Sequence, residues 1–309
     1  LAAGIAAYLG VPLDPTVVKR FSNDNLYVQL GASVRSRSVY IVQSLVPPVS
    51  DHLVELLMMI DIAHHAGASE VHAIVPYFSY ARSDKKDAPR ISITARLIAD
   101  LLQTAGMTHF MTMTLHSPQV HGFFSVPTDP LTARHLFVKY FNEKQYSADE
   151  TIVIAPDIGR AKSAARFAKN LGFDMAAAEK ERISDNQVTF SGSLERQVAG
   201  FRRALVYDDE IATGSTILEV SNLLVKYGIE DIAAICTHGV FTGNALDKLI
   251  AFPQISKIVT TDTVPKVLET KHEKVEVISV APIFGEAIWL NAQRQSIGYL
   301  YTFHQESDS

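Results

Sequence analysis

Short runs of β-branched and aliphatic residues alternate with amphipathic helical segments along most of this chain. Val39–Gln43 is followed by a helical pattern at 51–65, and Thr151–Ala155 is followed by another at 160–170. Strands joined through a helix run parallel, and the helices then cover the faces of the sheet. The sequence therefore predicts an α/β fold with mostly parallel sheets.

The strand–helix order repeats in the two halves of the chain, and a polar segment at 142–150 separates them. Polar segments of this kind often mark domain boundaries. We therefore predict two domains of similar fold, 1–141 and 142–282, and expect the C-terminal segment 283–309 to pack on the first. Because Leu1 stands within a helical pattern, we also expect this sequence to lack some preceding residues.

The composition argues against several classes of partner. The 309 residues include 28 Lys and Arg against 33 Asp and Glu, a formal net charge of −5, so we expect no nucleic-acid partner. No apolar run reaches the roughly 18 residues of a membrane helix, so we expect no membrane contact. The one cysteine, Cys236, fits a reducing, cytoplasmic compartment and a buried strand position.

The segment 204–216 carries the most specific pattern in the chain. A hydrophobic strand at 204–207 leads directly into Asp208 and Asp209, so we expect both acids at a solvent-facing strand end. Small polar residues then open a helix: Thr213, Gly214, Ser215 and Thr216. A glycine and the N–H groups of a first helical turn suit a phosphate, and paired carboxylates suit a ribose diol or a hydrated magnesium ion. The competing interpretation is an acidic turn before an ordinary helix cap.

This segment resembles the phosphoribosyl-pyrophosphate binding loop of type I phosphoribosyltransferases, a motif that many enzymes share. Other segments select among those enzymes, because together and in this order they resemble ribose-phosphate pyrophosphokinase, also called phosphoribosyl-pyrophosphate synthetase. The resemblance covers essentially the whole chain. Its motifs lie at 41–61, 75–90, 115–124, 155–159, 237–243 and 260–265.

The resemblance implies two tandem domains of the phosphoribosyltransferase type. It implies transfer of the β,γ-diphosphoryl group of ATP to O1 of ribose 5-phosphate, giving phosphoribosyl pyrophosphate and AMP. It also implies a magnesium requirement and a homo-oligomer, a dimer or a hexamer, with an ATP site that a neighbouring subunit helps to form.

The same resemblance assigns roles to individual residues. His116 and Asp157 match magnesium ligands beside the diphosphate, and Lys180 and Arg182 match a catalytic loop. The ATP site would comprise Phe21, Asn23, Asn25, Arg82, Ser83 and His116. The ribose 5-phosphate site would comprise Asp208, Asp209, Thr213, Gly214, Ser215 and Thr216. Taken singly, His116 would be interpreted as a strand-end histidine bonded to backbone, and Lys180 and Arg182 as part of an exposed charged segment.

Several residues depart from the family pattern, mostly on the ATP side. The adenine-site motif reads Phe, any residue, Asp, Gly, Glu in the family, whereas this chain has Phe21-Ser22-Asn23-Asp24-Asn25. The other departures are Ser83 for Gln, Thr114 for an acid, Arg160 for Gly and Ala212 for Asp. An active synthetase is the favoured interpretation. A non-catalytic regulatory paralogue and a phosphoribosyltransferase are the alternatives.

Overall fold

The computed structural model describes residues 1–178, 180–184, 187–190 and 193–301, without the side chains of 180–184 and 187–190. Close approaches between Cα atoms divide the chain into two compact units. Unit 1 comprises Leu1–Thr132 and the described segment 280–301, and unit 2 comprises Ala133–Ser279. Both units combine helices with a parallel sheet, which confirms the predicted α/β class.

Helices and strands alternate along the described part of the chain in this order: α1 (Ala2–Leu9), β1 (Thr16–Arg20), β2 (Leu26–Leu30), β3 (Ser38–Val42), α2 (Val49–His65), β4 (Glu70–Val75), α3 (Thr94–Thr104), β5 (His109–Met113), β6 (Thr128–Leu131), α4 (Arg134–Lys144), β7 (Thr151–Ala155), α5 (Ala161–Leu171), β8 (Asp174–Ala177), β9 (Lys180–Ser184), β10 (Gln187–Phe190), α6 (Ser193–Val198), β11 (Arg203–Ile211), α7 (Ser215–Lys226), β12 (Asp231–Gly239), α8 (Ala245–Ala251), β13 (Ile255–Thr261), β14 (Val275–Ile278) and α9 (Ala281–Ala292). Short 3-10 helices occur at Ser79–Arg82, Pro118–Phe123, Ile158–Arg160, Pro265–Glu269 and Gly298–Leu300.

Unit 1 is built on a four-stranded parallel sheet with the strand order β3-β4-β5-β6. Helices α2 and α3 contribute side chains to its core, where Leu56, Ile60 and Leu102 are fully buried with Phe110 of β5. Burying side chains of this size contributes about 1.5–3 kcal/mol each, so the sheet and its helices form one stable frame.

The C-terminal segment contacts the N-terminal helix within unit 1. Tyr8 of α1 donates a hydrogen bond from its hydroxyl to Oε2 of Glu286 on α9, at 2.8 Å. Tyr299 donates to the other oxygen of the same carboxylate, at 2.9 Å. The described segment 280–301 therefore belongs with residues 1–132.

Unit 2 is built on a six-stranded sheet, all parallel, with the strand order β14-β13-β12-β11-β7-β8. The predicted domain boundary at 141/142 and the division after Thr132 differ by one helix, α4. That helix packs in unit 2 because Phe137 meets Tyr207 of β11 edge-on, with 6.1 Å between ring centroids. Phe167 of α5 stacks on the same tyrosine at 4.4 Å.

Strand β11 continues past the point where the sequence analysis ended it. The prediction placed the end at Tyr207, because aspartate and glutamate are depleted in strands. In the structure the parallel pairing with β12 continues, with Asp208 opposite Cys236 and Glu210 opposite His238. The two acids therefore lie inside a ladder strand, where the backbone fixes their positions.

Two elements of unit 1 were not predicted. The β1–β2 hairpin has an entirely exposed first strand, so it shows none of the alternation that signals a half-buried strand. Strand β6 contains Pro130 and lies at the sheet edge, where proline is tolerated because no ladder partner needs its missing N–H. Both elements form because they pair with neighbouring strands, β1 with β2 and β6 with β5.

Cys236 is fully buried on β12, as predicted, and its thiol donates to Oγ1 of Thr260 at 3.4 Å. Burial raises the pKa of this thiol, which favours the unreactive neutral form. Among the described residues, no helix has both the length and the apolar character needed to cross a membrane.

Candidate functional site

The acid pair of β11 is more buried than the sequence suggested. The prediction placed Asp208 and Asp209 at a solvent-facing strand end, but Asp209 is only 4% exposed and Asp208 is half-buried. The prediction of exposure was wrong for Asp209, because β11 continues to Ile211 and neighbouring strands cover its flanks. Oδ2 of Asp209 instead lies 3.2 Å from Nη1 of Arg160, and Oδ1 of Asp208 accepts the backbone N–H of Asp209 at 2.8 Å.

Electrostatics makes this pair receptive to a cation or to hydroxyl donors. Burial raises the pKa of Asp208 well above its usual range, and the adjacent charge of Asp209 raises it further. Arg160 acts in the opposite direction. A ligand that brings positive charge or hydrogen-bond donors to Asp208 would therefore be favoured, and both a magnesium ion and a sugar diol have these properties.

The polar residues after β11 form the turn that opens α7. Gly214 has φ 73° and precedes the first helical residue, a backbone conformation that favours glycine. The hydroxyls of Thr213 and Ser215 lie 2.9 Å apart, and the N–H of Leu218 donates to the Gly214 carbonyl at 3.0 Å. Thr216 lies in the first turn of the same helix. The first turn of this 12-residue helix directs N–H groups towards the loop, an arrangement that suits a phosphate.

Asp157 follows the strand next to β11 in the same sheet. Ile154 of β7 lies opposite Val206 of β11, so the residues after these positions emerge at the same edge of unit 2. Oδ1 of Asp157 accepts the backbone N–H of Arg160 at 3.0 Å and caps the 3-10 helix Ile158–Arg160. Asp157 and the acid pair therefore lie at the same edge of the unit 2 sheet, which is the edge where parallel sheets usually bind ligands.

His116 lies in unit 1, after the end of β5. It is half-buried and follows the buried Leu115 and Thr114, which has φ 43°. His116 and Asp157, the predicted magnesium ligands, thus belong to different units. Within the described ranges, no group of three or more His, Cys, Asp or Glu side chains is arranged to hold a metal. The oxygen donors that suit magnesium best are the carboxylates of unit 2.

The residues assigned to the adenine site form the turn of the β1–β2 hairpin. The Phe21 ring is 54% exposed and meets Tyr27 edge-on at 5.8 Å. Its backbone N–H donates to the carbonyl of Asn25 at 2.8 Å, and Oδ1 of Asn23 accepts the backbone N–H of Asn25 at 3.3 Å. Asp24, which stands where the family motif has glycine, has φ 70°.

An arginine holds that turn in place. Nη1 of Arg20 lies 2.7 Å from Oδ1 of Asp24, and its Nη2 lies 2.5 Å from Oδ2 of Asp51 on α2. The ion pair with Asp24 supports an aspartate in a backbone conformation that glycine adopts more easily. The hairpin turn thus keeps an exposed aromatic ring and two amides at one end of β1.

Arg82 and Ser83 lie just after β4. Arg82 ends the 3-10 helix Ser79–Arg82 and is exposed. The N–H of Ser83 donates to the carbonyl of Tyr80 at 2.9 Å, and the Ser83 carbonyl accepts the N–H of Ala95 at 3.2 Å. The backbone of this segment is therefore fixed against α3.

Lys180 and Arg182 lie on β9, which pairs antiparallel with β10. Lys180 is opposite Phe190 and Arg182 is opposite Val188. Their side chains lie outside the described part of the structure, so their predicted catalytic role stays a prediction.

Sequence analysis missed the ion pair that Arg160 forms with Asp209. It identified this residue only as a departure from a family glycine, whereas the structure pairs its guanidinium with Asp209. The sequence feature that could have indicated this contact was the position of Arg160 two residues after Ile158, within the turn that Asp157 caps.

Comparisons with known proteins point to one family. A family model described as the N-terminal domain of ribose phosphate pyrophosphokinase matches residues 1–106, and one described as the phosphoribosyl synthetase-associated domain matches residues 193–302. A protein from Streptomyces coelicolor is 48% identical over 301 residues, which cover 97% of this chain and 94% of that protein. The ribose-phosphate pyrophosphokinase of Deinococcus radiodurans is 42% identical over 305 residues, with coverage of 98% and 94%.

A solved structure gives the same result for the fold. The crystal structure of phosphoribosylpyrophosphate synthetase from Mycobacterium smegmatis aligns with a TM-score of 0.87 and 32% identity, covering 94% of this chain and 95% of that one. The predicted fold, two tandem phosphoribosyltransferase-type domains with mostly parallel sheets, is thereby confirmed.

Proposed function

This chain belongs to the ribose-phosphate pyrophosphokinase family, and we propose that it transfers the β,γ-diphosphoryl group of ATP to O1 of ribose 5-phosphate. The products are phosphoribosyl pyrophosphate and AMP. The observation that carries the assignment is the acid pair of β11 beside a glycine-initiated helix, in a chain that resembles such enzymes over nearly its whole length.

Ribose 5-phosphate binds at the edge of the unit 2 sheet. Its phosphate lies against the loop formed by Thr213, Gly214, Ser215 and Thr216, where helix N–H groups and hydroxyls donate hydrogen bonds. Its 2- and 3-hydroxyls lie beside the acid pair, Asp208 and Asp209, where carboxylate oxygens can accept hydrogen bonds from them. This orientation presents O1 towards the diphosphate, because the sugar is held at both ends.

Magnesium is the proposed cofactor, with His116 and Asp157 as its proposed protein ligands. When bound, the ion neutralises charge on the phosphate oxygens. Asp157 also caps the turn that contains Arg160, so its carboxylate has a fixed orientation.

ATP binds through residues of unit 1. The exposed Phe21 ring offers a stacking surface for adenine, and the amides of Asn23 and Asn25 can accept from its amino group. Arg82 and Ser83 contact the phosphates, together with His116. An exposed arginine at the end of a 3-10 helix suits this role, since a guanidinium binds two phosphate oxygens at once.

Lys180 and Arg182 stabilise the charge that develops on the transferred group. Phosphoryl-type transfer needs little covalent chemistry from the protein, so positioning and electrostatic stabilisation supply most of the rate enhancement. A homo-oligomer, a dimer or a hexamer, would complete the ATP site from a neighbouring subunit. We propose a cytoplasmic location, which the single buried cysteine supports.

The test is to incubate the purified protein with ribose 5-phosphate, ATP and Mg²⁺ and to separate AMP from ADP. Formation of AMP supports diphosphoryl transfer, whereas ADP alone indicates a simple kinase. Asn23 and Asn25 in place of the acids of the family motif favour a second candidate, a non-catalytic regulatory member of the same family. That candidate predicts binding of ribose 5-phosphate with neither nucleotide product.

A further inference from the structure

Arg160 connects two segments of the proposed site. Its backbone N–H donates to Oδ1 of Asp157 at 3.0 Å, and Nη1 of its guanidinium lies 3.2 Å from Oδ2 of Asp209. Its own carbonyl accepts from the hydroxyl of Ser163 at 2.9 Å, which fixes the backbone at the start of α5. The residue therefore holds an acid of the metal-binding segment and an acid of the ribose segment at the same time.

The ion pair with Asp209 is largely removed from water. The Arg160 side chain is 16% exposed and that of Asp209 is 3% exposed. Removing one partner of such a pair leaves a buried charge without compensation, which costs far more than losing an exposed pair. The contact therefore fixes the position of Asp209 firmly.

The two acids of the pair consequently have different environments. Asp209 has a cation 3.2 Å from its carboxylate, whereas Asp208 is half-buried beside that already neutralised neighbour. Without Arg160, the repulsion between two adjacent carboxylates would disfavour ionisation of both unless an external cation lay beside them. With Arg160, the protein supplies one of the positive charges itself.

We propose that Arg160 is a positioning residue that neutralises Asp209 and leaves Asp208 to accept the ribose hydroxyls, so that ribose 5-phosphate binds without a divalent cation at the acid pair. This inference rests on the proposed function, because it assumes that the acid pair is the sugar site. It goes further by assigning different roles to the two acids and a role to a residue that stands where the family pattern has glycine.

The experiment is titration calorimetry of the full chain with ribose 5-phosphate, once in EDTA and once in excess Mg²⁺. The parent protein is expected to bind with similar affinity in both buffers. Arg160→Gln is expected to bind about 10- to 100-fold more weakly in EDTA, the range that corresponds to a lost hydrogen bond to a charged group, and to recover in Mg²⁺. Arg160→Lys keeps the positive charge, so its affinity for ribose 5-phosphate in EDTA should lie between those of the parent and Arg160→Gln.

Two further variants make the test specific. Lys226→Gln removes one exposed cation at the far end of α7, about 18 Å along the helix from the loop, and should behave as the parent. The double variant Arg160→Gln with Asp209→Asn contains neither charge of the ion pair. It should fold and bind in EDTA more tightly than Arg160→Gln alone, because no buried carboxylate is left uncompensated.

The outcomes separate this inference from the proposed function. A parent that binds ribose 5-phosphate in neither buffer refutes the sugar site itself. A parent that binds only in Mg²⁺, or an Arg160→Gln variant that binds as the parent does in EDTA, overturns the role of Arg160 while leaving the sugar site intact. The role of Arg160 is also overturned if ribose 5-phosphate binding by the double variant depends on Mg²⁺ as strongly as binding by Arg160→Gln does.

Discussion

Asp129 stands at the centre of a buried polar chain in unit 1, and its replacement by Asn should destabilise that unit. Oδ2 of Asp129 lies 2.7 Å from Nε2 of His109, and the two side chains are only 8% and 7% exposed. Tyr301 donates its hydroxyl to the other oxygen. The chain continues from Nδ1 of His109 to Nδ1 of His72, at 2.8 Å, and His72 stacks on Tyr40.

The expected loss of stability follows from the hydrogen bonds that Asn keeps and loses at position 129. An amide of the same shape retains one acceptor oxygen but presents an NH₂ group to the second donor, so one hydrogen bond to a carboxylate is lost. A hydrogen bond to a charged group contributes about 1.5–3 kcal/mol. For a unit of this size, a loss near the upper half of that range lowers the melting temperature by roughly 4–12 °C.

The assay is intrinsic fluorescence during thermal or urea unfolding. The single tryptophan, Trp289, lies on α9 in unit 1, so its signal reports on the unit that contains Asp129. Asp100→Asn is the matched control, because Asp100 pairs with Arg96 at 3.0 Å with both side chains about half exposed. Exposed pairs contribute about 0.2–1 kcal/mol. If Asp129→Asn is as mild as this control, the buried chain does not stabilise unit 1.

Three further predictions concern the site and the pH dependence. Asp208→Asn should raise the melting temperature of the ligand-free protein, because burial and the charge of Asp209 disfavour the ionised carboxylate of Asp208. The same substitution should weaken ribose 5-phosphate binding about tenfold or more. A lower melting temperature with unchanged affinity would contradict this prediction. Lys180→Ala and Arg182→Ala should each lower kcat by roughly 10²–10³-fold, with a much smaller change in KM for ribose 5-phosphate. Steady-state kinetics at saturating ATP measure both constants, and an unchanged kcat would contradict the proposed role. Burial, and then the charge of His109, lower the pKa of His72, so His72 takes up a proton at higher pH in the unfolded state than in the folded state. Unit 1 should therefore lose stability as the pH falls below about 6.5. Melting curves from pH 8 to 5 should show a smaller loss of stability for His72→Gln than for the parent, and equal losses would refute this prediction.

The elements that carry long periodic patterns were predictable from the sequence. Helix α2 was placed at 51–65 and begins at Val49, and β7 was placed at the residues where it lies. These segments bury one face or both faces, so the order of apolar residues reflects their environment directly. The acid pair and Gly214 were identified for a similar reason, because turn chemistry at a strand end depends on local residue types.

The features that depend on distant partners were not predictable. The extension of β11 through Asp208 and Asp209 needs the ladder with β12, which overrides the low strand preference of acids. The ion pair of Arg160 with Asp209 joins the 3-10 helix after β7 to the interior of β11, and no residue near either one in the sequence indicates this pairing. Helix α4 was assigned to the first domain because the polar segment after it resembles a linker, whereas aromatic packing on Tyr207 places it in unit 2.

The most direct test of the proposed reaction is phosphorus-31 NMR of a mixture of the protein, ATP, ribose 5-phosphate and Mg²⁺. Diphosphoryl transfer should consume ATP and produce AMP and phosphoribosyl pyrophosphate in equal amounts, with two mutually coupled signals from a diphosphate that is no longer attached to adenosine. ADP together with a ribose bisphosphate would contradict the proposal, and so would unchanged ATP in a sample that binds ribose 5-phosphate.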